Sequence, residues 1–128
     1  MFWRDYFEDR NDKFRPLGDW AFRFIKKVIE GEGIFYYSDL VVEELANFFS
    51  YDKIKEIFSI IPEGYLIKLE INKKQTKEAI VMSRRLRIPK NDALHAILAK
   101  DNRLTLITRD KHFEKVYFVD VKKPEDLL

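Results

Sequence analysis

Apolar residues follow two spacings along this chain, and the two spacings alternate from one short segment to the next. Segments with an apolar residue at every third or fourth position are predicted as helices, here 2–10, 19–30, 39–50, 53–60, 73–86, 92–101 and a short turn at 110–114. Segments rich in β-branched and aromatic residues are predicted as strands, here 34–37, 65–69, 104–108 and 116–120. Strands that alternate with helices indicate an α/β fold, with a small parallel sheet of about four strands flanked by helices.

Proline and polar residues mark the boundaries between these segments. A loop is predicted over 11–18, which contains Pro16, and Asp19 is predicted to cap the second helix. The long helix 73–86 is predicted to end before Pro89, because a residue that precedes proline disfavours the helical conformation. The predicted helices 2–10 and 19–30 both precede the first predicted strand.

The composition narrows the class of protein. With 128 residues and 46% hydrophobic content, the chain is long enough for one domain, spanning 1–128, with its own core. The absence of cysteine excludes a disulfide scaffold and a thiolate zinc site, and it fits a reducing cytoplasm. No apolar run approaches the roughly 18–20 residues that span a bilayer, so no membrane association is expected. The net charge of +2 is too small to indicate polyanion binding by itself.

Three acidic residues stand where one predicted element gives way to the next. Glu44 follows the first predicted strand, and Asp92 opens a helix. Asp110 comes two residues after Thr108, at the end of the third strand. In open α/β sheets, ligands gather at the carboxyl ends of strands, and carboxylates that converge there bind hard divalent cations. The pattern predicts metal-assisted chemistry on phosphate, with a Thr108 hydroxyl beside three carboxylate ligands.

Each of these acidic residues also has an ordinary structural interpretation. Glu44 lies beside the apolar stripe of its predicted helix, so it must be protonated, bound to a metal or paired in a salt bridge to Lys or Arg at the rim of the core. Asp92 suits the first turn of a helix, where a carboxylate accepts hydrogen bonds from unpaired amides and interacts favourably with the helix macrodipole. Asp110 suits a strand-to-helix turn, where it would cap the next segment. Their joint position at element junctions is what favours a site.

The two histidines carry less weight in the sequence. No pair of histidines has the spacing of a zinc site. His95 lies one helical turn beyond Asp92 and is interpreted as a hydrogen-bonded core residue, and His112 is assigned no role. The sequence contains no glycine-rich loop of the kind that binds dinucleotides or nucleoside triphosphates.

One stretch of the chain is distinctly basic. Residues 73–90 contain a single acid, Glu78, and seven basic residues. Those predicted to contact nucleic acid are Lys73, Lys77, Arg84, Arg85, Arg87 and Lys90. The ordinary explanation of such a stretch is a solvated helix face. If the face borders the acidic site, it would instead neutralise backbone phosphates and hold a nucleic acid in place.

At these residues the chain resembles a PIN domain, the fold of VapC-type ribonuclease toxins and of related nucleases. The segment from Ser38 to Leu45, which contains Glu44, is similar to the second acidic motif of the family. The run 91–96 is similar to the third motif, an Asp followed by a small, apolar helix. The run 106–113 is similar to the fourth, where a strand ends in Thr-x-Asp and an aromatic residue follows. The ordered set agrees from about residue 34 to the end.

The resemblance begins after the first motif of the family. PIN domains start with a strand that ends in an Asp, commonly Leu-Asp-Thr-Asn, and Met1 falls about where that Asn would stand. The first strand and its Asp are therefore expected to be absent from this sequence. Asp5 lies in the first predicted helix, beyond the motif, and is not taken as a replacement. Because the missing strand is central in the family, its loss would leave hydrogen-bonding groups on two neighbouring strands unpaired.

The resemblance implies a three-layer PIN-like fold and an endoribonuclease that depends on Mg²⁺ or Mn²⁺. Glu44, Asp92 and Asp110 would hold the cation, and Thr108 would support them. The resemblance further implies RNA as substrate, a cognate antitoxin protein as partner, and a homodimer. The alternative is a PIN-like relic with weak or no activity that binds RNA or a protein. The absence of the first acidic motif favours the relic, and the three remaining acids favour the nuclease.

Overall fold

Helices and strands alternate along the chain, and the predicted α/β class is confirmed. A computed structural model describes residues 2–7 and 16–128. The end of the first predicted helix and most of the predicted 11–18 loop lie outside the described residues. Contacts within the chain divide it into two compact units, Met1–Leu69 with Pro124–Leu128, and Glu70–Lys123.

The elements within the described residues are numbered in chain order. The helices are α1 (Phe2–Phe7), α2 (Leu17–Glu30), α3 (Asp39–Leu45), α4 (Tyr51–Phe58), α5 (Lys73–Leu86) and α6 (Lys90–Asp101). The strands are β1 (Phe35–Tyr37), β2 (Leu66–Lys68), β3 (Leu106–Ile107) and β4 (Val121–Lys122). Two 3₁₀ helices complete the list, Lys111–Lys115 and Pro124–Leu127. No helix in these parts of the chain is both long and apolar enough to cross a bilayer.

Aromatic residues form the core of the first unit. The Trp3 side chain, only 3% exposed, lies with its ring centre 5.3 Å from that of Phe35 and 5.4 Å from that of Phe58. Phe24 of α2 meets the same Phe35 ring edge-on at 5.9 Å. Offset and edge-on aromatic pairs add to the stabilisation that burial provides. This cluster fixes α1, α2 and α4 against β1, which pairs in parallel with β2.

The start of α2 differs from the prediction. The helix begins at Leu17, after Pro16, and no side chain accepts a hydrogen bond at its cap. Asp19 lies in the first turn, so its predicted role as the capping residue is wrong. Proline is favoured just outside or inside a helix start because its fixed φ suits the entry and its missing N–H would be unsatisfied there anyway. The proline, rather than the acid three residues later, therefore sets the boundary.

The two helices predicted at 39–50 and 53–60 are both present, but their bounds differ from the prediction. Ser38 caps α3 by accepting a hydrogen bond from the Leu40 N–H at 3.2 Å, and α3 ends at Leu45. Ser50 then caps α4, because its hydroxyl accepts from the Lys53 N–H at 3.2 Å. A serine whose side chain bonds the backbone in this way starts a new helix rather than continuing the old one.

The last predicted strand is misplaced by several residues. Instead of 116–120, the strand β4 is Val121–Lys122, paired in parallel with β3 through Leu106↔Val121. Val116 is buried directly after the first 3₁₀ helix, and its N–H donates to the carbonyl of Phe113 at 3.1 Å. The apolar residue that suggested a strand therefore anchors a turn.

A helical hairpin forms the body of the second unit. The helix α5 starts at a capping box, in which the Asn72 side chain accepts from the Gln75 N–H at 2.8 Å and the Gln75 side chain accepts from the Asn72 N–H at 3.0 Å. The Gln75 side chain also donates from Nε2 to Asp101 Oδ2, 2.9 Å away at the other end of α6. Because the beginning of α5 meets the end of α6, the two packed helices are antiparallel.

Replacing Gln75 with alanine tests this hairpin. The side chain is buried, and the substitution removes one partner from the capping box and the donor that Asp101 accepts from. We expect the free energy of unfolding to fall by about 1–3 kcal/mol, measured by urea denaturation. Thr76→Ala at the adjacent, more exposed position is the matched control and should cost less than about 0.5 kcal/mol. Equal losses in the two variants would contradict the assigned role of Gln75.

Candidate metal centre

Two of the predicted ligands meet in the second unit, together with a histidine. Asp92 lies in the first turn of α6, Asp110 precedes the first 3₁₀ helix, and His112 is the second residue of that helix. The His112 Nδ1 atom lies 2.8 Å from Asp92 Oδ2 and 3.1 Å from Asp110 Oδ1. One donor atom from each of the three residues can be chosen so that all lie within 4.8 Å of one another. Within the described ranges these residues form a group that could hold a metal ion.

Local hydrogen bonds in the turn after β3 aim the Asp110 carboxylate. The Thr108 Oγ1 atom accepts from the Asp110 N–H at 3.1 Å, and Asp110 Oδ1 accepts from the His112 N–H at 2.9 Å. Both are side-chain-to-backbone bonds over two residues, which Thr and Asp form readily in turns. Asp110 therefore caps the 3₁₀ helix as the sequence predicted, and the same bond brings the His112 ring over the carboxylate.

Asp92 is the most enclosed of the three residues. Its side chain is 16% exposed, whereas those of Asp110 and His112 are 47% and 50% exposed. Burial raises the pKa of the Asp92 carboxyl above 3.8, and the nearby Asp110 charge raises it further, against the hydrogen bond from His112 and the smaller charge effect of His95. The Asp110 charge thus disfavours the ionised form of Asp92, which is an arrangement that a divalent cation relieves.

The raised pKa of Asp92 predicts a pH-dependent stability in the absence of cations. Below the ordinary value of 3.8, Asp92 is protonated in both the folded and the unfolded chain, and its titration does not reduce the free energy of unfolding. As the pH rises through the higher folded-state pKa, the unfolded chain releases this proton more readily, so the free energy of unfolding falls. In EDTA we expect Asp92→Asn to be more stable than the wild type at about pH 7, by a margin that shrinks towards about pH 4.

Thermal unfolding of both proteins across that pH range provides the measurement. A stability difference that stays constant with pH, or that favours the wild type at neutral pH, would contradict the assigned environment of Asp92.

Glu44 occupies the kind of position that the sequence predicted. It is half-buried in the last turn of α3, next to the fully buried Leu45, whereas Glu43 is exposed. Glu44 belongs to the first compact unit, and Asp92 and Asp110 belong to the second. Its role as a metal ligand stays a prediction from the sequence. Asp5, which was not taken as a replacement for the first acid of the family, is buried within α1.

The predicted nucleic-acid residues are all exposed, and they divide between the two ends of the hairpin. Lys73 and Lys77 lie in the first turns of α5, about 15–21 Å along the helix axis from Arg87. Those at the opposite end, which also holds the Asp92 turn of α6, are Arg84, Arg85, Arg87 and Lys90. Lys115 Nζ donates to the Arg87 carbonyl at 3.3 Å, which ties this end to the 3₁₀ helix that carries His112. The basic end of the hairpin therefore borders the acidic cluster.

His112 is the residue of the cluster that the sequence interpretation missed. Asp92 and His112 are 20 positions apart, and no ligand-spacing rule links them. The signal that could have found it is the position of His112 two residues after Asp110, where a turn returns the ring towards the carboxylate. Zinc-type spacing rules require a pair of histidines, and they do not identify a single histidine next to an acid.

The donor set fits a divalent cation. Carboxylate oxygens suit Mg²⁺ and Mn²⁺, and an imidazole nitrogen is compatible with Mn²⁺ and the later transition metals. The partly enclosed Asp92 supplies charge, and the exposed Asp110 and His112 leave the site open to solvent and to a substrate.

Comparison with known families agrees with the resemblance seen in the motifs. The model of the PIN domain family matches residues 15–119, which is most of the chain and includes Glu44, Asp92, Thr108 and Asp110. The chain therefore belongs to the PIN domain family, whose members are generally metal-dependent nucleases. Searches of curated proteins and of solved structures gave no significant match.

Proposed function

We propose that this protein is a PIN-domain endoribonuclease that hydrolyses RNA phosphodiester bonds with the help of Mg²⁺ or Mn²⁺. The observation that carries the proposal is the convergence of Asp92 and Asp110 on one open cluster, at the helix start and the strand end that the family motifs mark. A bound divalent cation supplies Lewis acidity there, because it polarises a phosphate oxygen and activates a water for attack.

The side chains divide the remaining work. Asp92 and Asp110 hold the cation, and Glu44 supplies a further carboxylate by its match to the second acidic motif. Thr108 accepts the hydrogen bond that shapes the Asp110 turn and keeps its hydroxyl proton as a donor for a water or a phosphate oxygen. Catalytic roles therefore fall on Glu44, Asp92, Thr108 and Asp110.

The basic end of the α5–α6 hairpin is proposed to position the RNA. Arg84, Arg85, Arg87 and Lys90 are exposed and lie on the same end of the hairpin as Asp92. Guanidinium groups bind phosphates in a bidentate manner, and each phosphate that is neutralised releases counterions. These residues would therefore hold the backbone next to the cleavage site, and Lys73 and Lys77 would add charge further along the strand.

We further propose that the protein is the toxin of a toxin–antitoxin pair and forms a homodimer. Both proposals rest on the resemblance to VapC-type toxins. A toxin of this class would slow the growth of cells that express it alone. Growth restored by Asp92→Asn in the same vector would support the toxin role, and equal growth with both genes would contradict it.

A cleavage assay with the purified full chain tests the nuclease proposal. We expect single-stranded RNA to be cut in Mg²⁺ or Mn²⁺, and EDTA to stop the reaction. Because water rather than the ribose hydroxyl attacks, the products should lack 2′,3′-cyclic phosphate ends, which distinguishes them from those of contaminating metal-independent ribonucleases. No cleavage of any RNA in either cation, with no specific cation binding, would favour the alternative of a PIN-like relic.

A pair of double variants tests which end of the hairpin holds RNA. Arg84→Ala with Arg85→Ala removes two charges near the cluster, and Lys73→Ala with Lys77→Ala removes two from the far end of the same helix. We expect the double arginine variant to weaken RNA binding about tenfold. The slope of log affinity against log salt concentration should become shallower by about two. The lysine pair should have a clearly smaller effect. The measurement is RNA affinity over a salt series, and equal effects would contradict the proposed placement of the RNA.

A further inference from the structure

The imidazole of His112 lies between two carboxylates that the proposed function gives to the cation. Its Nδ1 atom is 2.8 Å from Asp92 Oδ2 and 3.1 Å from Asp110 Oδ1. The ring is half exposed, and the carboxylates approach it through the same nitrogen. One ring nitrogen of His112 thus contacts two acids from different places in the chain, Asp92 in α6 and Asp110 at the cap of the first 3₁₀ helix.

We propose that His112 is a nitrogen ligand of the divalent cation, and that it makes this centre prefer Mn²⁺ to Mg²⁺. The inference rests on the proposed function, because it assumes that Asp92 and Asp110 hold a cation. It goes further by naming a ligand that is not one of the motif acids and by choosing between the two metals that the sequence left open.

The distances between donor atoms support direct ligation. Ligand atoms about 2.1 Å from a six-coordinate cation lie about 3.0 Å apart along each edge of the octahedron. The two distances from His112 Nδ1 to the carboxylate oxygens bracket this value. His112 is therefore spaced from each carboxylate as neighbouring ligands of one small cation are, and the donor atoms of all three residues lie within 4.8 Å of one another.

The chemistry of the donors explains the expected preference. Mg²⁺ is a hard cation that favours oxygen ligands and retains its waters, so an imidazole adds little to its binding. Mn²⁺ accepts the same oxygens at similar distances and, as a transition metal at the start of the first-row affinity series, is less strictly limited to oxygen ligands than Mg²⁺. When His112 ligates through Nδ1, the ring proton lies on Nε2, and the side chain as a whole is half exposed to water.

The test measures cation binding to the purified full chain in the absence of RNA. Calorimetric titrations give the dissociation constants of Mn²⁺ and Mg²⁺ for the wild type, His112→Asn and His95→Asn. The asparagine at 112 can still donate a hydrogen bond to Asp92 from near the Nδ1 position, but it has no imidazole nitrogen. His95→Asn is the matched control on the adjacent turn of α6. Circular dichroism checks that each variant is folded.

We expect His112→Asn to weaken Mn²⁺ binding about tenfold or more and Mg²⁺ binding by less than about threefold. Pulsed electron paramagnetic resonance of bound Mn²⁺ should show coupling to an imidazole nitrogen in the wild type and in His95→Asn. That coupling should be lost in His112→Asn. A nitrogen signal that disappears only in His95→Asn would overturn the assignment.

Two other results would overturn it in different ways. If His112→Asn weakens both cations equally and the wild type shows no nitrogen coupling, His112 only positions Asp92 through a hydrogen bond. If the wild type binds both cations, Asp92→Asn abolishes binding, and His112→Asn behaves as the wild type, His112 has no role while the proposed function stands. Cation binding that survives Asp92→Asn unchanged would instead remove the proposed metal centre itself.

Discussion

Replacing Asp92 with asparagine is expected to reduce Mg²⁺-dependent RNA cleavage by a hundredfold or more while leaving the chain folded. Asparagine keeps the size of the side chain but removes a negative charge from the most enclosed position of the cluster. Loss of a ligand that anchors a catalytic cation removes several kcal/mol of transition-state stabilisation, and each 1.36 kcal/mol is about tenfold in rate. Burial raises the pKa of Asp92, which means that the ionised carboxylate is unfavourable in the folded chain. Its replacement by asparagine should therefore not lower the free energy of unfolding.

The matched control for this variant is Asp101→Asn. Asp101 ends the same helix, and as an acceptor for Gln75 Nε2 it can be replaced by the oxygen of an asparagine side chain. Cleavage rates of both variants under saturating Mg²⁺ provide the comparison, together with Glu44→Gln for the carboxylate predicted from the sequence alone. Full activity in both Asp92→Asn and Glu44→Gln would remove the nuclease proposal. Equal losses in Asp92→Asn and Asp101→Asn would point to a structural defect.

Replacing Ile97 with alanine is expected to be the most damaging single change to stability. Ile97 is completely buried in the middle of α6, where alanines at neighbouring turns allow close packing. Isoleucine-to-alanine changes in well-packed cores cost about 2–5 kcal/mol, because the surroundings relax only partly into the cavity. The free energy of unfolding of a domain is about 5–15 kcal/mol in total, so this variant should be close to unfolding at 37 °C.

Val81→Ala is the control for this second change. Val81 lies on α5 with 64% of its surface exposed, so its truncation should change stability by no more than about 0.5 kcal/mol. Urea unfolding followed by circular dichroism measures both variants. A loss below about 1 kcal/mol in Ile97→Ala would mean that α6 does not lie in a tightly packed core.

Elements with strong local signals could be predicted closely from the sequence. The bounds of α5 match the prediction of 73–86 because Asn72 and Gln75 form a capping box at one end. At the other end Arg87 takes a left-handed conformation with φ of 55°, and Pro89 follows two residues later. Each boundary is enforced by residues adjacent to it, which is the kind of information that a local pattern contains.

Elements that depend on distant packing were predicted less well. The strand β4 consists of two residues whose position is set by pairing with β3, and nothing in 116–122 alone distinguishes it from the turn before it. The end of α3 was predicted five residues too late and the start of α4 two residues too late, because the apolar spacing continues up to Ser50, whose capping role depends on the conformation of its own backbone.

The same division applies to the metal centre. Asp92 and Asp110 could be placed together because a helix start and a strand end meet in α/β folds. His112 could not, because its contact with Asp92 joins two elements that are distant in sequence and depends on a two-residue turn. Family membership supports the acidic motifs, and it says nothing of the histidine.

The brevity of the strands has a consequence for how the protein behaves at high concentration. By the alternation of a parallel ladder, the N–H and C=O of Tyr36 point away from β2, and those of Ile107 point away from β4. Long open strand edges recruit other chains into intermolecular sheets and seed aggregates. Strands of three and two residues offer an incoming chain only about one peptide unit each, too little to hold it. Their shortness protects the protein against fibrillar self-association.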